Sequence, residues 1–503
     1  MDTLIKLYYQ TFGNPIINTP FHNINTIYAD TTASGILFKP IETFLFNNIY
    51  PFYSNTHSNA FYGQLMCKYI DLSKKIIRKS INASNDDKII FTGNGSSAAI
   101  NQIIHCMNLK SNLHNKQNTV VFLTVLEHHS NYLPWKHLDI TIVEIPILPN
   151  GLIDMEFFKS HLLLHKDKQF IISSINATSN VNGIHQDVYS IAQLVHQYNG
   201  IVMFDFSASA PYITINLHYN DNSLQFFDAI FLSTHKFFGG PGSPGILVAN
   251  KKLFKNSIPY CPSGGTVRFV SDKIQEYSNN IETKETGGTP NIIGCIKAGM
   301  AFLLKDKYQS LIDQKEQFLI QYIDELFNDN DNVYILNPFT NKHRLPIYSF
   351  IIPNLHYNFV VKLLSDLFGI QTRGGVSCCS VLAQRLLHLS EKDKDNIFNQ
   401  IIMNKGVDKK YGWVRVSFHY TFPKFIVLYI VMAIKFIAKY GHRFIPLYYY
   451  DTKLNNWIHK NHTQNDIYFS ILQNDITHHS FLNKKDIQTI FNNNFKLLNK
   501  LSL

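Results

Sequence analysis

Cysteine is scarce in this chain: six in 503 residues, with no regular spacing, which excludes a disulfide framework and suits a reducing compartment. Charge is thin as well. Only 16 % of the residues are Asp, Glu, Lys or Arg, and although the formal net charge is +10, the lysines are scattered and form no basic arm. Nucleic acid is therefore not an expected partner, since holding an anionic ligand needs only local positive charge. No run is apolar for long. The most apolar stretch, Phe425 to Ile434, is stopped by Lys435, short of the ~20 residues a membrane span needs, and reads as a buried helix. The opening Met1-Asp2-Thr3-Leu4-Ile5-Lys6 lacks the basic start and apolar core of a secretory signal, so a cytoplasmic location without a membrane is expected. Clustered metal ligands are missing too. Glu127-His128-His129 comes nearest, but adjacent His at a strand end seldom share one ion, and no metal is expected.

What the chain has in quantity is apolar material, 45 % of its residues, enough for two domains with large cores. Short apolar strands alternate with helical patterns such as Val188 to Val195, which predicts an α/β fold with a mostly parallel sheet. Three segments carry chemistry. In the first, the strand Asp228 to Ser233 delivers Ser233, His235 and Lys236 to a glycine-rich run, Gly239-Gly240-Pro241-Gly242-Ser243-Pro244-Gly245. Pyridoxal 5'-phosphate (PLP) enzymes hold their cofactor on such a lysine as a Schiff base. On that stretch alone, an exposed lysine in a glycine-rich hairpin is an equal reading. In the second, Gly200 to Asp205 reads as a buried strand ending in a carboxylate. That acid suits a protonated pyridine nitrogen, and equally suits capping a turn. In the third, Thr92-Gly93-Asn94-Gly95-Ser96-Ser97 precedes the helical pattern Ala98 to His105. A helix N-terminus with hydroxyls binds phosphate well, although Ser96 or Ser97 could simply cap the helix. His128, after the strand Thr119 to Thr124, could stack on a pyridine face.

Taken in order, these segments resemble the class V aminotransferase family of fold-type I PLP enzymes, and within it the cysteine desulfurase/selenocysteine lyase branch, from about Tyr28 to Phe422. Tyr28-Ala29-Asp30-Thr31-Thr32-Ala33, Asn55-Thr56-His57-Ser58 and Glu127-His128-His129-Ser130-Asn131 are similar to that family's segments. So are Ser179-Asn180-Val181-Asn182-Gly183, Gly288-Thr289-Pro290-Asn291 and Arg415-Val416-Ser417. The resemblance implies Lys236 as the cofactor lysine and His128 as the ring-stacking residue. Ser96, Ser97, Ser233 and His235 would bind cofactor, with Asp205 at the pyridine nitrogen and Asn180 at the phenolic oxygen. Thr289 would reach the phosphate of a neighbouring subunit, which implies a homodimer with shared active sites. Arg415 would clamp the substrate carboxylate, a task suited to a planar guanidinium, with Arg373 and Asn180 also on the substrate side. Counted from Arg373, Cys378 sits where desulfurases carry the cysteine that takes sulfur as a persulfide, with Cys379 beside it.

The chain departs from the family in three places. Val376 and Ser377 replace a His pair found before the cysteine in one desulfurase group, Ala208 stands where a Gln usually bonds the cofactor oxygen, and Ala98 replaces a Glu. The expected organisation is an N-terminal segment 1–20, a large PLP-binding domain 21–295, a small α+β domain 296–440 and an appendage 441–503. The appendage holds a strand-like Phe444 to Tyr450 and the apolar run Ile467 to Leu472, so it is expected to be folded. Three functions remain. One is a desulfurase converting L-cysteine to alanine and passing sulfur to an acceptor protein. The second is another class V aminotransferase or lyase in which Cys378 is incidental. The third is a non-catalytic scaffold, which intact Lys236 and Asp205 oppose.

Overall fold

The protein is described from a computed structural model at residues 2–109, 118–328, 332–336, 343–402, 411–461 and 481–501. The described residues form two compact units, one within Thr32–Gln314 and Thr340–Leu345, the other within Met1–Thr31, Lys315–Phe339 and Pro346–Leu503. The helix Ile292–Phe327, 36 residues long, carries the chain from the first into the second.

The larger unit is built on a seven-stranded sheet in the order Asp87–Thr92, Gly245–Asn250, Ala229–Ser233, Ile201–Asp205, Phe170–Asn176, Thr119–Thr124, Thr141–Ile145. Only Gly245–Asn250 runs against the others. The apolar runs that predict strands are the buried ones, because a parallel strand flanked by helices has no wet face to mark with polar residues. Ile90, Leu123, Ile172, Met203, Phe231 and Leu247 share one buried cluster with Ile103 and Ile104 of the helix Gly95–Cys106 and with Trp135. Each fully buried side chain of this kind contributes ~1.5–3 kcal/mol. The six co-directional strands end on one rim, with Phe231 in register with Asp205 and Asp205 with Asn176.

In the smaller unit an antiparallel sheet runs Tyr334–Ile335, Ile347–Ile351, Trp413–Ser417, Arg373–Gly375. The N-terminal strand Ile27–Tyr28 pairs in parallel with Ile370–Gln371, and Ser417 N donates to Ala29 O at 2.8 Å. Helix Lys424–Tyr440 continues through the 3-10 turn Gly441–Leu447. Those 24 residues are long and apolar enough to cross a membrane by length and composition, more than the apolar run alone suggests. Yet Ile426, Val427, Ile430, Ile434 and Ile437 are buried inside this unit, as in a core helix.

The chain beyond Gly441 departs locally from its sequence reading. Phe444 to Leu447 lie in the 3-10 turn, and the strand begins only at Tyr448, since Pro446 has no N–H to give a sheet. Tyr448–Asp451 and Asn456–His459 then form a hairpin. Helix Lys484–Lys500 follows, opened by a capping box between Asn483 and Asp486. The run Ile467 to Leu472 lies outside the described residues.

Candidate active site

On the rim of the large unit, helix Gly95–Cys106 starts three residues earlier than its apolar pattern suggests. Asn94 holds the cap position and makes no side-chain cap bond, so Ser96 and Ser97 lie inside the first turn and do not cap it. Ser96 N donates instead to Ser233 Oγ at 2.9 Å, and Ser233 Oγ stands 3.0 Å from Ser207 Oγ. Gly95 is required here: its φ is +61°, and a Cβ on it would lie 2.8 Å from Ser233 Oγ. The first turn thus sets the hydroxyls of Ser96 and Ser97 beside the Ser233 strand end, at a helix N-terminus whose dipole favours negative charge.

Asp205 closes the central strand. It is buried, its Oδ1 accepts from Ser207 N at 2.9 Å, and burial raises its pKa above the usual carboxylate value against the opposing pull of Ser207 and of the Lys236 charge. A carboxylate held in so dry a place would be stabilised as the anion by a further positive or hydrogen-donating partner. Lys236 ends the 3-10 turn Thr234–Lys236 that follows Ser233. Its neighbour His235 is pushed down to about 4, by burial first and by Lys236 second, and so is neutral at physiological pH. The His235 carbonyl is braced by Gly35 N at 2.9 Å and Ser34 Oγ at 3.3 Å.

His128 caps helix His129–Lys136, its Nδ1 accepting from Ser130 N at 3.2 Å and lying 3.0 Å from Ser130 Oγ. Ser130 Oγ in turn meets Ser97 Oγ at 2.6 Å, which ties the ring to the first turn of helix Gly95–Cys106. Beneath His128, buried Glu127 accepts from Thr124 Oγ1 at 2.7 Å, Asn176 N at 3.0 Å and Asn131 Nδ2 at 2.6 Å. These bonds pin the helix to two strand ends. Burial nevertheless raises the Glu127 pKa to about 7. Asn180 is buried in the loop after the Asn176 strand. Thr289 Oγ1 accepts from Asn55 Nδ2 at 2.8 Å. It lines a cavity of about 790 Å³ together with Gly93, Gly95, His235 and Ser243.

The smaller unit carries the other candidates. Arg415 is fully buried on the middle strand of its sheet and pairs with Asp30 Oδ1 at 2.7 Å. Arg373 is directly opposite Arg415 in register and is exposed. Cys378 is partly exposed, whereas Cys379 is buried at the cap position of helix Ser380–Leu386, with no side-chain cap bond. Ser377 and Cys378 both have positive φ, +53° and +57°, and Trp413 Nε1 donates to Ser377 Oγ at 3.2 Å.

Ser130 and Asp30 stand within the quoted motifs without a role of their own from the sequence, Ser34 directly follows one of them, and Glu127 enters the sequence reading only as a conceivable metal ligand. Ser130 was discoverable from its place two residues after His128, where a hydroxyl commonly bonds the preceding side chain. The partners of Asp30 and Ser34 lie hundreds of residues away, at Arg415 and His235, so no local signal pointed to them. Among the described residues, no group of three or more His, Cys, Asp or Glu could hold a metal ion.

The chain belongs to the aminotransferase class-V family, whose model matches residues 27–423. It is 30 % identical over 382 residues to a probable cysteine desulfurase of Borreliella burgdorferi, covering 73 % of this chain and 86 % of that relative. A second probable cysteine desulfurase, of Halalkalibacterium halodurans, is 28 % identical over 380 residues, 74 % of this chain and 88 % of that one. Among solved structures, an apo cysteine desulfurase from Thermococcus onnurineus NA1 shares the fold with a TM-score of 0.69 at 22 % identity, covering 82 % of this chain and 95 % of that one.

Proposed function

We propose that the protein is a PLP-dependent cysteine desulfurase, converting L-cysteine to alanine and passing the sulfur to Cys378. The observation that carries the cofactor is Asp205, a buried carboxylate at the central strand end whose cost falls once a protonated pyridine nitrogen faces it. The rest of the donor set fits: hydroxyls and backbone around Ser96, Ser97 and Ser233 suit a phosphate, neutral His235 and the ring of His128 suit an aromatic partner, and Lys236 would supply the amine that holds the cofactor covalently. PLP, once bound, provides the electron sink for breaking bonds at the substrate α-carbon. Lys236 would take the α-proton of the substrate. Asp205 would hold the ring nitrogen in its protonated form. Asn180 would bond the phenolic oxygen, and Arg415, paired with Asp30 in the structure, would clamp the substrate carboxylate, with Arg373 opposite it on the same sheet. Cys378, as thiolate, would attack the substrate sulfur and form the S–S bond of a persulfide; the carbon–sulfur bond breaks with its electron pair left on the β-carbon, which takes up the proton shed by the Cys378 thiol, and Lys236 returns its proton to the α-carbon to give alanine.

We further read the protein as a cytoplasmic homodimer in which Thr289 serves the partner's phosphate, and an acceptor protein relieves Cys378 of its sulfur. Light scattering that gave a monomer at micromolar concentration would remove the shared-site reading. The deciding experiment adds L-cysteine to PLP-loaded protein and measures alanine and persulfide together. Equal amounts are expected, and Cys378→Ser should abolish alanine while leaving the cofactor spectrum unchanged. Amine transfer to an oxo acid without sulfane sulfur would instead establish a class V aminotransferase acting on another amino acid, a reading favoured by Val376 and Ser377 before the cysteine and by Ala208 after Asp205.

A further inference from the structure

The hairpin Tyr448–Asp451/Asn456–His459 lies past the residues that the family model matches, 27–423. It is seated on the start of helix Tyr357–Phe368 by several different contacts. Trp457 Nε1 donates to His356 Nδ1 at 3.2 Å, and the Trp457 ring lies 4.7 Å from Phe359. Asn358 Nδ2 donates to the Asn455 carbonyl at 2.6 Å, and Asn455 Nδ2 reaches Tyr357 OH at 3.4 Å. Tyr450 OH, from the other strand, donates to Asn455 Oδ1 at 2.6 Å and so fixes the Asn455 amide.

The same two residues, Tyr357 and Asn358, also meet the root of the Cys378 loop. A Cβ on Gly374 would lie 2.4 Å from Asn358 Oδ1 and 2.8 Å from Tyr357 Cδ2, so the loop strand and the helix start are in direct contact. The Asn358 amide therefore has its nitrogen on the hairpin and its oxygen against the loop root. Beyond that root, Ser377 and Cys378 hold consecutive left-handed conformations, which residues with side chains keep only when their surroundings impose them.

We propose that the C-terminal hairpin is a positioning device for the Cys378 loop, acting through His356, Tyr357 and Asn358. A loop that must carry a thiol to sulfur and away again needs freedom at its tip and a fixed base. The hairpin supplies the base. From the desulfurase reading this takes only the role of Cys378 in accepting sulfur; the mechanical coupling stands on the packing alone.

The test measures iodoacetamide alkylation of Cys378 by peptide mass mapping in the PLP-loaded full chain. Asn358→Ala and Trp457→Ala are each expected to speed alkylation of Cys378 roughly three- to tenfold, the size of one lost hydrogen bond or ring contact, while buried Cys106 and Cys295 stay unreacted. The kcat for alanine should fall with KM little changed. Trp457→Phe, which keeps the ring and loses only the bond to His356, should lie between wild type and Trp457→Ala. Unchanged reactivity of Cys378, or acceleration spread over Cys106 and Cys295, would overturn the proposal, since the hairpin would then be inert or merely a general stabiliser. Faster alkylation of Cys378 in a protein that produces no persulfide would sink the desulfurase reading and leave the positioning role intact.

Discussion

At the scale of single residues, Asp205 sets stability against activity. Because burial disfavours its charged form, Asp205→Asn should raise the stability of the cofactor-free protein by about 1 kcal/mol, seen as a melting temperature higher by a few degrees. The same change should cut turnover by about two orders of magnitude, because the pyridine proton is no longer held. A variant that lost both stability and activity would show that Asp205 is mainly a structural cap. Lys236→Ala should leave no cofactor adduct on the chain after borohydride reduction. Glu127 governs a pH effect. Its folded pKa, about 7, lies above the ordinary 4.5, so between those values the folded state holds a proton that the unfolded chain has released. Its contribution therefore falls as pH rises from about 4.5 to about 7 and is flat above, by at most on the order of 3 kcal/mol. Asp205 acts with the same sign. Urea titrations of apo protein across that range should show the decline, and Glu127→Gln should make it shallower, leaving the part due to Asp205.

Helices and strands were legible in the sequence to different degrees. The parallel strands were plain, since Ile201 to Asp205 and Ala229 to Ser233 are apolar on both faces and each ends in a polar residue. The start of helix Gly95–Cys106 was not. Gly95 and Ser96 are poor helix formers, and what holds them in the first turn is a bond from Ser96 N to a strand far along the chain. That origin makes the turn sensitive to one atom. Gly95→Ala, forced into a left-handed conformation and against Ser233 Oγ, should weaken PLP binding by tenfold or more, measured by cofactor fluorescence, while destabilising the apo protein by about 1 kcal/mol. The Arg415 strand was recognisable from its motif, but its ion pair with Asp30 was not, because sequence carries no trace of which distant carboxylate will face a buried guanidinium.

For the molecule as a whole, fold class and site motifs could be read because each parallel strand brings its polar residue to the same rim. That the first residues of the chain belong with the smaller unit has no local signal and comes only with the family resemblance, since that unit draws on both sides of the larger one in sequence. Deleting residues 2–26 should therefore act at a distance along the chain: hydrogen exchange is expected to quicken at Trp413–Ser417 and Ile370–Gln371 while Ile201–Asp205 and Ala229–Ser233 keep their protection. Equal loss in both groups would mean that the units unfold as one.

The pairing of Ile27–Tyr28 with Ile370–Gln371 also imposes an order on biosynthesis. The first thirty or so residues leave the ribosome early, yet their partner strands, the last of them Trp413–Ser417, are still to be translated. At ~5–20 residues per second that wait is roughly 20 to 80 s, during which the stretch beginning at Thr32 can already collapse around its own sheet. The nascent chain thus trails an unpartnered apolar leader, with Leu4, Leu7, Ile24 and Ile27 uncovered, and is open throughout that interval to capture by a chaperone or by another nascent copy of itself.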